Sequence, residues 1–264
     1  MITSTNNAQI KNIIQLNKKA KARREQGLFA AEGKKMFWEA PKEWIEKVYI
    51  TESLSEEPEI IGRVQEQNVP YEIVTDAVFR QMSDTLTPQG VLTLLKKPEY
   101  TLEDILGGEN PLVMILEDLQ DPGNLGTILR TAEGAGVQGV LMTKTCVDIT
   151  NPKVIRSTMG SVYRMPFLYV EDVVSLKQEL KKRNIRTYAA HLKGENSYEQ
   201  EDYAAGTAFL IGNEGNGLTE EAAASADCLI RIPMCGKVES LNAAMAAGIL
   251  MYEASRQRRD PGRS

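Results

Sequence analysis

Two stretches near the C-terminus carry residue types suited to a ligand pocket. They are Leu210-Ile211-Gly212-Asn213-Glu214-Gly215-Asn216-Gly217-Leu218 and Arg231-Ile232-Pro233-Met234-Cys235-Gly236-Lys237-Val238-Glu239-Ser240-Leu241-Asn242. Each reads as a short apolar strand followed by a polar, glycine-bearing loop, and the second loop opens into an alanine-rich helix. Glycines let main-chain N–H groups approach a ligand closely, and a helix N-terminus adds partial positive charge. Two such loops in tandem describe a pocket floored by main chain. A third stretch, Asn124-Leu125-Gly126-Thr127-Ile128-Leu129-Arg130, lies far upstream. A helix beginning near Leu125 would put Asn124 at its N-cap and Arg130 in its first or second turn. The helix dipole disfavours a cation there. Arg130 is therefore expected to meet either a visiting anion or an internal carboxylate.

Other chemistries lack their residues. His191 is the only histidine, so any Ser-His-Asp or Cys-His arrangement must use it, and no GxSxG elbow occurs. Cys146, Cys228 and Cys235 form no CxxC pair, which leaves neither a disulfide framework nor a zinc site. A literal GxGxxG spans Gly134, Gly136 and Gly139, but a dinucleotide fingerprint must follow a strand and open a helix. These glycines follow a helix and precede a strand, so they read as a C-cap and a connecting turn. No Walker A pattern is present.

Strands and helices must bring these loops together. The chain from Leu112 alternates between the two. Strands are expected at Leu112–Leu116, Val140–Met142, Phe167–Val170, Arg186–Ala190, Ala208–Ile211 and Cys228–Ile232. Helices are expected at Thr127–Glu133, Pro152–Thr158, Val174–Arg183 and Leu241–Arg258. The near-continuous apolar runs predict buried parallel strands, with ligand loops at their carboxyl ends. The first part also alternates. Helices are expected at Ala8–Lys21, Lys34–Ala40, Ile60–Gln67 and Asp76–Met82, and strands at Leu28–Gly33, Val48–Ile50, Tyr71–Val74 and Gly90–Leu95. Two α/β domains follow, residues 1–96 and 111–264, with 97–110 as linker.

A chain of 264 residues with 42% hydrophobic and 25% charged residues is globular in composition. It has no apolar run of membrane-spanning length and no signal-peptide pattern at Met1–Asn7. A reduced cytoplasmic protein is the expectation. The net charge of −5 argues against a large nucleic-acid footprint, yet Lys18, Lys19, Lys21, Arg23, Arg24 and Lys34 cluster near the N-terminus. Such a cluster either contacts phosphates or is a solvated helix face.

Three motifs, Asn124-x-Gly126-x-x-x-Arg130, Ile211-Gly212-Asn213-Glu214-Gly215-x-Gly217 and Ile232-Pro233-Met234-x-Gly236-x-x-x-Ser240-Leu241-Asn242, resemble those of the SpoU (TrmH-like) branch of the SPOUT RNA methyltransferases. Arg156-Ser157-x-x-Gly160, before Pro166, resembles the family's connecting segment. Phe29-x-x-Glu32-Gly33 and Gln89-Gly90-Val91 resemble its ribosomal protein L30e-like substrate-binding domain. The resemblance implies a mostly parallel sheet with a deep trefoil knot, a fold rare among proteins, preceded by a smaller L30e-like α/β domain.

It also implies methyl transfer from S-adenosylmethionine to a ribose 2′-hydroxyl of RNA, by a homodimer formed through the knotted domain. Large-subunit ribosomal RNA is favoured, because L30e-like domains are typical of family members acting on it. The alternatives are tRNA, methylation of a base, or a non-catalytic RNA-binding protein of the same fold. No metal is implied. The family's cofactor contacts fall on Gly212, Ile232 and Leu241, with Ala190, Met234 and Asn242 nearby. Its catalytic positions are Asn124, Arg130, Glu214, Ser240 and Asn242. Arg130 is the family's proposed base, although a guanidinium stays protonated in proteins. Stabilising an alkoxide or clamping a phosphate suits it better. Glu214 is expected to hold Asn124, Arg130 or the ribose, and Ser240 to wall the pocket, to cap the last helix, or both. The basic cluster then becomes an RNA-contacting surface.

Overall fold

Along the N-terminal strands apolar residues occupy successive positions, so their side chains alternate sides and one sheet must be covered on both faces. In the computed structural model, which describes residues 1–259, that sheet has the order β1-β4-β2-β3. Its strands are β1 (Leu28–Glu32), β2 (Ile45–Thr51), β3 (Tyr71–Val74) and β4 (Val91–Lys96). β4 runs antiparallel to β1 and β2, and β2 runs parallel to β3. Phe29, Ala31, Val48, Ile50, Val91 and Leu95 share a core with Phe37 and Ile60, from the helices Lys34–Glu39 and Pro58–Glu66. Ala30, Tyr49, Leu92 and Leu94 belong to a second core, closed by Ile10, Ile13, Leu16 and Phe79 of the helices Ala8–Lys18 and Asp76–Met82. The first helix is shorter than expected. Lys19 is extended (φ −125°, ψ 111°), and a separate helix, Ala20–Gln26, follows it.

The chain forms two compact units: Met1–Pro98 together with Asp148–Tyr163, and Glu99–Val147 together with the chain from Arg164 onward. A division read serially along the sequence does not foresee this excursion. Ile155 of the helix Pro152–Thr158, with Val162 and Tyr163, completes the core around Phe37. The Tyr163 hydroxyl donates to the Met36 carbonyl at 3.1 Å, and burial, with Glu39 nearby, pushes its pKa up. Gly160 has φ +100°, and a Cβ there would collide with the Glu39 carboxylate. The stretch read as linker also holds a helix, Leu102–Leu106. Thr101 and Asp104 close it with a capping box, and Ile105 and Leu106 are buried in the second unit's core.

The second unit carries seven strands in the order β7-β6-β5-β10-β8-β11-β9. They are β5 (Leu112–Leu116), β6 (Gly139–Thr143), β7 (Phe167–Val170), β8 (Arg186–Ala190), β9 (Asn196–Ser197), β10 (Thr207–Ile211) and β11 (Cys228–Arg231). Every pairing is parallel. All five residues of β5, β6 and β10 are buried, as a sheet covered on both faces requires. β5, β6 and β7 are laid down outward in one direction, and the later strands fill the other side of β5. This reversal is a topological switch point, where the loops after neighbouring strands diverge and leave a crevice. No helix among the described residues is long and apolar enough to cross a membrane.

Candidate active site

The register of β5 against β10 brings together loops whose bonded residues are 90 to 95 positions apart in sequence. Leu116 pairs with Ile211, so the chain leaving each strand starts at the same level. Glu117 N donates to Ile211 O at 2.9 Å, and Asn213 Nδ2 donates to Asp118 O at 2.8 Å. The Asn213 side-chain oxygen accepts from Gly215 N (2.9 Å) and Asn216 N (3.0 Å). Asn213 and Gly217 exchange two main-chain hydrogen bonds across the same turn. A Cβ on Gly212 would collide with the main chain of Gly217 and Leu218. Glycine is thus demanded at 212 by the loop's own return path.

Glu214 stands at the tip of this turn. Its carboxylate accepts from Asp121 N (2.8 Å), Gln120 N (3.1 Å) and Asn124 Nδ2 (3.1 Å). Burial pushes the Glu214 pKa up, but the Asn124 amide and the main-chain N–H groups outweigh it and hold the carboxyl below its ordinary value. Asn124 Oδ1 accepts from Asn242 Nδ2 at 2.9 Å. Asn242 Oδ1 in turn accepts from Ala244 N (2.9 Å) and Met245 N (3.2 Å), capping the helix Ala243–Arg259. One chain of hydrogen bonds therefore ties together the three loops that the sequence singled out.

Several expectations are corrected. The helix bearing Asn124 and Arg130 begins at Pro122 and runs to Ala135, with Asp121 as its N-cap; Asp121 Oδ1 accepts from Asn124 N at 2.7 Å. Asn124 is inside the first turn, and Arg130 lies in the third, beyond the reach of the N-terminal dipole. Arg130 is exposed and makes no hydrogen bond or ion pair among the described residues. The last helix is capped by Asn242, so Ser240 has no capping role; it lines the cleft described below. Gly134 lies inside a helix, Gly136 is its left-handed C-cap (φ 79°), and Gly139 opens β6.

Asp121 and Gln120 join the site although none of the three motifs contains them, and Asn213, inside the second motif, is the residue that closes its turn. Asp-Pro before an apolar helix is itself a start signal, so Asp121 was legible. Gln120 was not: beside local bonds to Asp118, its side-chain amide donates to Thr145 O and its main-chain N–H to Glu214, partners that only the fold supplies.

A cleft of about 760 Å³ opens where β8, β10 and β11 end. Gly212, Ile232, Leu241, Ala190 and Met234 all line it, as do Glu214, Ser240 and His191; Asn242 sits just beside it, between two lining residues. Its walls combine an apolar slot (Ile211, Leu218, Ile230, Ile232, Leu241) with polar groups (Arg231, Glu239, Asn216). In the first unit Lys18, Lys19, Lys21 and Arg24 are exposed, and Lys34 pairs with Glu57 at 2.8 Å. Arg23 is a correction. It is 5% exposed, donates twice to Asp148 Oδ2 (2.9 and 2.7 Å) and once to Leu16 O (2.6 Å), and ties the 148–163 excursion to the first unit. It is not available to a phosphate.

Residues 111–252 match the model of the SpoU rRNA methylase family, and residues 7–93 match that of the MRM3-like substrate binding domain. An uncharacterized tRNA/rRNA methyltransferase of Synechocystis is 33% identical, over 97% of this chain and 93% of its own. The 23S rRNA (guanosine(2553)-2′-O)-methyltransferase RlmP of Bacillus subtilis is 30% identical over 95% and 97%. Among solved structures, the AdoMet-bound rRNA methyltransferase of Sinorhizobium meliloti superposes with a TM-score of 0.84 at 30% identity, covering 97% of each chain. The SpoU methyltransferase AviRb of Streptomyces viridochromogenes, in complex with AdoMet, superposes with a TM-score of 0.86 at 26% identity, covering 96% and 100%. With its motif loops joined at one cleft and both units matched along their length, this chain belongs to the SpoU rRNA methylase family.

Proposed function

We propose that the protein transfers a methyl group from S-adenosylmethionine to a ribose 2′-hydroxyl of large-subunit ribosomal RNA, working in the cytoplasm as a homodimer. The observation that carries this reading is the Asn242–Asn124–Glu214 hydrogen-bond chain beside the main-chain cleft, with Arg130, unpartnered among the described residues, on the same helix as Asn124. Residues 1–96 are assigned to RNA recognition and residues 111–264 to the chemistry.

The residues present fit S-adenosylmethionine. A cleft of about 760 Å³ suits a molecule of that size. Its aliphatic slot suits adenine, and its mixed polar rim offers partners to the zwitterionic amino-acid end. When bound, the cofactor supplies a methyl group already activated on a sulfonium. The chain's own part is to orient the ribose hydroxyl and stabilise the charge it develops. Arg130 suits the second task as a permanent cation with no partner among the described residues. Asn124 suits the first. Its amide is fixed by donating to Glu214 and accepting from Asn242, which leaves one N–H to direct at the ribose.

Met245 and Tyr252, 60% and 48% exposed, lie two turns apart on the last helix and form an apolar strip suited to a second copy. The free thiols of Cys146, Cys228 and Cys235 suit a reducing compartment.

The test combines calorimetry with S-adenosylmethionine and mapping of 2′-O-methylation across total RNA with and without the protein. Cofactor binding and loss of a large-subunit rRNA mark are expected. No cofactor binding would sink the enzyme reading, and a mark lost from tRNA would move the substrate. Arg130→Ala should abolish transfer and leave cofactor affinity within a few-fold, about 1 kcal/mol or less. A large affinity loss would move Arg130 into the cofactor cleft.

A further inference from the structure

The first unit contains a second cleft, of about 450 Å³, which the chemistry above does not use. Polar side chains line it: Thr51, Ser53, Asp76, Arg80, Thr87 and Gln89, with Leu86 at its edge. Much of it is built by local hydrogen bonding. Ser53 Oγ donates to Asp76 Oδ1 at 2.7 Å, Thr51 Oγ1 and Ser53 Oγ are 3.1 Å apart, and Leu54 N donates to Thr51 Oγ1 at 3.2 Å. Gly90, at φ +80°, passes so close that a Cβ would stand 2.6 Å from Thr51 Oγ1. Gln89 Oε1 accepts from Lys34 N at 2.9 Å, which fixes the amide and leaves its Nε2 hydrogens over. Neither that Nε2 nor the Arg80 guanidinium has a hydrogen-bond or ion-pair partner among the described residues.

Leu86 is fully exposed, at 102%. The loop bearing it is held from the first strand of the unit, since the Glu32 carboxylate accepts from Ser83 Oγ and from Thr85 Oγ1, both at 2.7 Å. Thr85 N donates to Ser83 Oγ at 3.0 Å, which tightens the same turn. An apolar side chain braced in water beside a cleft with an unused cation and an unused amide is the equipment for an unstacked nucleotide.

We propose that this cleft is an RNA subsite that takes one unstacked nucleotide of the substrate, at a position other than the methylated ribose. Arg80 holds its phosphate, Gln89 Nε2 and the Asp76 carboxylate read its base edge, and Leu86 lies against the base face. A carboxylate only accepts, so Asp76 takes an N–H of the base edge, imino or exocyclic amino, and disfavours a carbonyl at that point. Glu32, Gly33 and Gly90 then act as positioning residues for the loop and the Gln89 amide. The inference rests on the RNA reading above.

The experiment measures filter-binding affinity for protein-free large-subunit rRNA, as a function of salt, for the wild type, Arg80→Ala, Leu86→Ala and Gln89→Ala. Cofactor affinity is measured in parallel by calorimetry. Arg80→Ala is expected to weaken rRNA binding roughly three- to tenfold and to lower the salt slope by about 1. Leu86→Ala should weaken binding with the slope unchanged, and S-adenosylmethionine affinity should stay within about twofold in every variant. Unchanged rRNA affinity in Arg80→Ala and Leu86→Ala, against a wild type that binds and methylates rRNA, overturns the subsite and leaves the RNA reading standing. A wild type that binds cofactor but no rRNA overturns both. Variants that keep rRNA affinity but lose binding to ribosomal particles would assign the cleft to a protein partner instead, which also overturns the proposal.

Discussion

Arg130 and Glu214 divide the electrostatic work at the level of single residues. Arg130 carries a permanent charge with no partner among the described residues, so its field is available to whatever the site admits. Glu214 spends its charge on structure, accepting from Gln120 N, Asp121 N and Asn124 Nδ2. Because the folded pKa of Glu214 is depressed, its stabilising contribution is fully present above the ordinary carboxylate value of about 4.3 and is lost as pH falls through the lower folded value. The rate of methyl transfer should show no step from Glu214 between about pH 5 and 8, and should collapse in stronger acid. A neutral-range step that disappears in Glu214→Gln would contradict this. That substitution leaves one acceptor oxygen for three N–H donors and loosens the Asn124 side chain, which keeps only its bond from Asn242 assured. It should lower kcat by on the order of 10²-fold, with little change in cofactor affinity. Single-turnover kinetics beside calorimetry separates the two quantities.

Helices and loops set how far each residue can be moved. The Gly212 turn folds back on its own main chain, so Gly212→Ala must open the loop that forms one wall of the cleft. Cofactor binding should fall below detection by calorimetry while the sheet stays folded by circular dichroism. Retained affinity would show that the turn can yield. The helices Pro122–Ala135 and Ala243–Arg259 approach closely through Gly134 and Gly248. Tyr252 Oη and Thr131 Cγ2 would be the nearest atoms to a Cβ at these positions, at 3.2 and 3.6 Å. Ala243, Ala244, Ala247 and Ala254 are buried, so this small-residue face is spent largely within the chain. In the first unit Arg23 is a tie for the 148–163 excursion. Arg23→Met leaves Asp148 without its buried partner and should cost about 3–5 kcal/mol, read as a lower urea midpoint. An unchanged midpoint with a loss of rRNA affinity would return Arg23 to the RNA-binding surface.

For the whole molecule, the all-parallel sheet and its order decide that chemistry is assembled at the carboxyl ends of β5, β8, β10 and β11. Dimerisation is a prediction at this scale. Met245→Glu together with Tyr252→Glu places charge in the exposed strip of the last helix. The double substitution should convert a dimer to a monomer in sedimentation equilibrium, without lowering the unfolding free energy of the subunit by more than about 1 kcal/mol. A wild type already monomeric at micromolar concentration would remove the homodimer from the proposal.

Much of this was legible in residue order. The apolar runs at Leu112–Leu116 and Thr207–Ile211 announce buried parallel strands because such strands contact helices on both faces. Glycines, Asn124, Glu214 and Asn242 mark their loops because few other types fit those turns and caps. The sequence could not determine which of these groups would pair. Asn242 rather than Ser240 caps the last helix, and Asp121 rather than Asn124 caps the Pro122–Ala135 helix, because a cap depends on where the helix starts, and tertiary packing moves that point by two or three residues. Arg23 looked like part of a basic surface until Asp148, 125 residues away, was brought against it. The Glu214–Asn124–Asn242 chain joins residues up to 118 positions apart. Local propensity acts over a turn or two, so only the register of β5 against β10 and the return of the last helix could close it.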